Sequence, residues 1–127
     1  MKAYTDLQQS KKLAKILPLE SADMCYIANS GLINIHIPFY KKMDKEDIPC
    51  WSLAALLDVL PDYIRHYDYG TYKIYNLNLY KAYYCNVSYT FGPSTNENDD
   101  TLYCFGRDNF VDACVKMIEK LHEQNLL

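Results

Sequence analysis

The sequence has no long apolar run. Its longest, Leu53 to Leu57, ends at Asp58, far short of the roughly 20 residues that a membrane-spanning helix needs. Glycine (4) and proline (5) are scarce among 127 residues, which excludes collagen-like and low-complexity chains. No charge dominates: 13 basic and 16 acidic side chains leave a net −3. That balance argues against broad, nonspecific nucleic-acid binding, which runs on phosphate neutralisation. The N-terminus has no apolar signal core and no cleavage site, so a cytoplasmic protein without a membrane partner is expected.

Catalytic and metal signatures are missing too. The five cysteines, Cys25, Cys50, Cys85, Cys104 and Cys114, are odd in number and form no C-x-x-C pair. Neither a disulfide framework nor a local zinc site is expected from them, and they read as buried thiols. His36, His66 and His122 stand in no G-x-S-x-G or H-E-x-x-H context. A small Cys/His enzyme is therefore the weakest reading, and no catalytic residue, cofactor or metal is assigned. Asn96-Glu97-Asn98-Asp99-Asp100 lacks the alternating pattern of a calcium loop and reads as a solvated hairpin tip. Asp58, alone in an apolar helix, reads as a solvent-edge residue.

What is present is a globular composition, 50% hydrophobic and 23% charged. A chain of this length buries roughly two-thirds of its unfolded surface, enough for one core. An apolar stripe of Leu7, Leu13, Ala14, Ile16 and Leu17 predicts a helix over 6–17, with Thr5 as N-cap and Pro18 as stop. Two strands are expected at 24–29 and 32–38 around Ser30-Gly31, the second alternating Ile33, Ile35, Ile37 against Asn34, His36. Residues 40–49 read as a charged loop. Residues 51–60 read as a buried helix closed by Pro61. Residues 62–70 read as a Tyr-rich connection, and 71–79, 80–91 and 101–105 as strands. A last helix runs from Asp108 or Asn109 to Glu123, with Asp108 as its N-cap candidate, and carries an Asp112–Lys116 pair.

The order is α-β-β-α-β-β-β-α. It predicts an α+β fold in one 1–127 domain: an antiparallel sheet with three helices packed on one face, in two layers. Leu13-Ala14-Lys15-Ile16-Leu17-Pro18 echoes Leu56-Leu57-Asp58-Val59-Leu60-Pro61, which suggests a helix–hairpin pseudo-repeat over 5–38 and 51–91.

Three stretches, Tyr4 to Met24, Pro49 to Pro61 and Val111 to Glu123, together resemble small uncharacterised proteins of gut Bacteroides-type bacteria and of the phages and mobile elements they carry. The resemblance covers the three helices. It implies a cytosolic, element-associated protein. It implies no activity, and no functional residue is carried over.

The compositional surplus is tyrosine: 13 residues, nine of them between Tyr63 and Tyr89. Alternation with Cys85, Val87 and Phe91 assigns Tyr83 and Tyr89 to the core. Tyr63, Tyr67, Tyr69, Tyr72, Tyr75, Tyr80 and Tyr84 remain as a candidate interaction surface. Tyrosines offer large contact area at low entropy cost and suit protein recognition. They also suit base stacking in single-strand nucleic-acid binders, which add a cationic groove. The cations between Tyr63 and Phe91 are only Arg65, Lys73 and Lys81, so a noncatalytic module with a protein partner leads. Nucleic acid is disfavoured, and self-association through the same surface is a further alternative.

Overall fold

A computed structural model of the chain describes residues 2–27, 33–34, 47–91 and 100–127. The fold is α+β, and every strand pair is antiparallel. The strands form two sheets rather than one, and the chain divides into two compact units, Met1–Val59 and Leu60–Leu127.

In the first unit, helix α1 (Leu7–Leu13) is shorter than its apolar stripe, and Asp6, not Thr5, is its N-cap. Asp6 accepts from the Gln9 N–H at 2.8 Å while the Gln9 side chain accepts from the Asp6 N–H at 3.1 Å, a reciprocal capping box. Thr5 is instead buried, and its hydroxyl meets Ser10 Oγ at 2.8 Å. A 3-10 turn (Leu19–Ser21) leads into β1 (Met24–Tyr26), which lies between β2 (Ile33–Asn34) and β3 (Ile48–Cys50). β3 replaces the end of the expected 40–49 loop. Its Pro49 is tolerated because β3 is an edge strand. The Ser30-Gly31 turn, Ile35, His36 and Ile37, and residues 40–46 lie outside the described residues.

Trp51 is not the first residue of a helix. It is fully buried, as are Leu13, Cys50 and Leu56, and its indole N–H donates to Ser21 Oγ at 2.9 Å. Helix α2 (Leu53–Val59) follows. Ser52 caps it by accepting from the Ala55 N–H at 3.2 Å, and the Asp23 carboxylate in turn accepts from Ser52. Asp58 is exposed, as a solvent-edge residue should be.

In the second unit, β4 (Tyr63–Asp68), β5 (Thr71–Lys81), β6 (Cys85–Phe91) and β7 (Asp100–Arg107) form a sheet in that order, followed by α3 (Phe110–Glu123). The expected connection over 62–70 is therefore a strand and a tight turn. The two expected strands over 71–91 meet at 82–84 rather than between Leu79 and Tyr80. Asn109, not Asp108, caps α3 by accepting from the Asp112 N–H at 2.8 Å, and Lys116 pairs with Glu119 at 3.5 Å. α3 packs on β6 and β7, burying Val111, Cys114, Met117, Ile118 and Leu121. Lys120 Nζ lies 5.6 Å from the centre of the Tyr103 ring. Tyr103 pairs with Tyr89 across the ladder, so that face of the sheet is the one beneath α3. Within the second unit, α3 is the helix that packs on this sheet. α1 packs on β3, and α2 lies beside the 3-10 turn.

Candidate functional site

Strand alternation sorts the sheet of the second unit into two faces. Ile64, Tyr75, Val87 and Tyr89 share the face beneath α3 and are buried. Tyr89 donates its hydroxyl to the Pro61 carbonyl at 2.7 Å, and burial pushes its phenol well above the ordinary range. Tyr75, expected on the surface, is only 2% exposed. It alternates in step with Leu77 and Leu79, and its ring meets His66 at 6.0 Å and Phe91 at 6.2 Å.

The other face carries Tyr63, Arg65 and Tyr67 from β4, and Tyr72, Ile74 and Tyr80 from β5, all exposed. Tyr67 and Tyr72 are cross-strand partners whose rings meet edge to face, 5.1 Å between centres. Such an aromatic pair contributes about 0.5–1.5 kcal/mol beyond burial. Tyr69 and Gly70 form the two-residue turn between β4 and β5, and both have positive φ, 48° and 84°. That is the geometry of a type I′ hairpin turn. It leaves Tyr69 99% exposed at the tip.

A second aromatic group stands where β5 turns into β6. Tyr83, assigned to the core by alternation, is 89% exposed. Residues 82–84 form a turn, closed by the Ala82 N–H on the Tyr84 carbonyl at 3.0 Å. The strand alternation therefore starts only at Cys85. Tyr83 and Tyr84 pack ring edge to face at 4.8 Å. Gly106 makes room for them: a β-carbon there would stand 2.8 Å from Asn86 Oδ1 and 3.2 Å from Tyr84 Cβ. Tyr80 lies near Cys104, hydroxyl to sulfur 3.9 Å. Burial first, then the Cys104 contact, raises the Tyr80 phenol.

The seven expected tyrosines thus divide. Tyr63, Tyr67, Tyr69 and Tyr72 gather on the β4–β5 hairpin. Tyr80 and Tyr84 belong to the opposite end of β5, and Tyr75 is core. From Tyr72 to Tyr80 is about 27 Å at roughly 3.4 Å per residue. Between the two groups lies a polar strip of Asn76, Asn78, Ser88 and Thr90. Asn78 donates to Thr90, and Ser88 Oγ is buried without a hydrogen-bond partner. Ile74, Tyr83 and Cys104 join this exposed surface unannounced by sequence. Only Ile74 had a readable signal, since it alternates with Tyr72.

Of the three cations weighed for nucleic-acid binding, Arg65 alone stands on the aromatic face. Lys73 and Lys81 are in the opposite phase of β5, and Lys73 Nζ lies 5.5 Å from the centre of the Phe91 ring. Among the described residues no group of three or more His, Cys, Asp or Glu could hold a metal ion, and no helix is long and apolar enough to cross a membrane. The Asn96 to Asp99 segment lies outside the described residues. Four of the five cysteines are buried and all are free thiols. Cys50 contacts Thr5, Cys85 reaches the Asp108 carbonyl and Cys104 contacts Tyr80. No family model, curated protein or solved structure matches the chain.

Proposed function

We propose that this chain is a noncatalytic interaction module, an accessory factor of a phage or mobile element acting in the cytoplasm on a host-encoded or element-encoded protein. The observation that carries the reading is the set of exposed rings on one hairpin: Tyr63, Tyr67, Tyr69 and Tyr72, with Ile74 beside them. A fold gains nothing from leaving so much aromatic area in water, whereas a binding surface does. The far face of the same hairpin carries the buried Ile64 and Tyr75, which anchor the strands that bear the rings. One cation among them is too few for a phosphate-tracking groove, which favours a protein over a nucleic acid.

The test is affinity capture from lysate of a Bacteroides-type host. Wild type is compared with Tyr67→Ser/Tyr72→Ser and with Tyr80→Ala/Tyr84→Ala, each first shown to be folded by circular dichroism. A protein held by wild type and lost from the first double variant is the expected result. Identical captures by all three chains would remove the hairpin from the account.

A further inference from the structure

The aromatic face ends at an edge strand among the described residues. β4 is the last strand of its sheet among the described residues. Leu77 N–H donates to the Asp62 carbonyl at 2.9 Å, and this fixes the phase of the ladder. In an antiparallel pair, residues that exchange backbone hydrogen bonds alternate with residues whose N–H and C=O point away. Asp62, Ile64, His66 and Asp68 are therefore turned towards β5. Tyr63, Arg65 and Tyr67 present their backbone donors and acceptors outward, on the same residues whose side chains stand on the open face. β4 pairs in unbroken register from Tyr63 to Asp68. The other edge strand, β7, carries a register shift opposite Tyr89 and Thr90, the kind of irregularity that spoils an edge for pairing. β4 has no bulge, proline or lysine.

We infer that β4 is a docking edge that takes an extended segment of a partner protein as a fifth strand, and that this segment carries an acidic side chain opposite Arg65 with apolar or aromatic side chains two residues to either side. The inference rests on the proposed function and specifies its binding mode. Arg65 chooses the occupant. It is exposed and, among the described residues, has no carboxylate or hydrogen-bond partner. It stands between Tyr63 and Tyr67 at strand spacing. A second copy would not satisfy it. Two-fold pairing about Arg65 sets two guanidinium groups opposite each other, which is destabilising. Two-fold pairing about His66 sets Arg65 opposite a tyrosine and still leaves it without an anion. An acidic strand neutralises it, while the flanking apolar side chains cover Tyr63 and Tyr67. Backbone bonds then supply affinity and the alternate side chains supply selectivity.

The test pans a random dodecapeptide library, displayed on phage, against the intact chain. Enrichment of apolar-x-acidic-x-apolar sequences is expected. A synthetic peptide of the enriched sequence should bind Arg65→Glu at least ten-fold more weakly, and replacing its acidic residue by lysine should restore binding to that variant. Tyr67→Pro removes an outward N–H without touching the β5 ladder, so it should abolish binding where Tyr67→Ser only weakens it. Amide exchange at Tyr63, Arg65 and Tyr67 should slow when the peptide is bound. No enriched sequence, an enriched sequence indifferent to Arg65→Glu, or equal effects of Tyr67→Pro and Tyr67→Ser would overturn the assignment. So would a dimer of the free chain that Tyr67→Pro dissolves, because the edge would then belong to a second copy. Loss of lysate capture in Tyr67→Ser/Tyr72→Ser but not in Tyr67→Pro would overturn the edge while leaving the interaction face in place.

Discussion

Tyr69 is the residue whose backbone is least at ease. A type I′ turn needs positive φ at both central positions, and Asn-Gly is the pair that supplies it cheaply. Gly70 does so, but a β-carbon in the left-handed region costs about 1–2 kcal/mol. Tyr69→Asn should therefore raise stability by about 0.5–1 kcal/mol, read as a higher urea midpoint at unchanged slope. Tyr26 carries a different burden. Its hydroxyl donates to the Thr5 carbonyl at 2.8 Å, and burial, with Cys50 and then Tyr4 and Asp6 nearby, pushes its phenol up to about 12 from an ordinary 10. A raised acid stabilises the fold fully below its unfolded value and loses that contribution as pH climbs through its folded one. Stability should fall between about pH 10 and 12, and Tyr26→Phe should make that fall shallower in urea titrations at stepped pH. Tyr89, also raised, leaves a residual slope. Tyr75 and Tyr83 show where residue-level reading succeeds and fails. Tyr75 alternates with Leu77 and Leu79, so its burial was legible. Tyr83 sits inside a turn that contains no Gly, Pro or Asn, and alternation was carried backward across an invisible break.

Elements were legible where one face is strongly apolar. α3 announces itself by Val111, Cys114, Met117, Ile118 and Leu121, and β6 by Cys85, Val87 and Tyr89. β4 was hidden because its inward residues include His66 beside Ile64 and its outward ones are Tyr63, Arg65 and Tyr67. Tyrosine is amphipathic enough to stand on either face, and the period of two vanishes into it. β3 was hidden by Pro49, which reads as a breaker unless the strand is known to be an edge. The close approach between β7 and the β5–β6 turn depends on Gly106. Gly106→Ala should push Asn86 off its 2.8 Å bond to the Tyr84 carbonyl and cost about 1–3 kcal/mol, the range for overpacking. Thermal unfolding measured beside wild type checks this, and an unchanged midpoint would mean the turn yields freely.

At the scale of the molecule, composition and order predicted an α+β chain with antiparallel strands, and that is the architecture. The division into two sheets was not legible, because pairing partners are chosen by contacts distant in sequence. β1 pairs with β3 across 22 to 26 residues, and no local pattern encodes that choice. The thiols report on both units together. Cys25 and Cys50 lie in the first and Cys85, Cys104 and Cys114 in the second; all but Cys104 are buried. Burial also pushes the Cys114 thiol up to about 12, so it is inert as well as shielded. A thiol reagent should label one cysteine quickly in the native chain and five in denaturant, counted by mass spectrometry.

Tyrosine nitration mapped by mass spectrometry, on the free chain and on the chain recovered from host lysate, tests the central claim most directly. In the free chain Tyr63, Tyr67, Tyr69, Tyr72 and Tyr83 should be modified and Tyr75 and Tyr89 spared. After lysate the hairpin tyrosines should become protected while Tyr83 stays reactive. Hairpin tyrosines modified equally in both states, or unreactive in the free chain, would contradict the account.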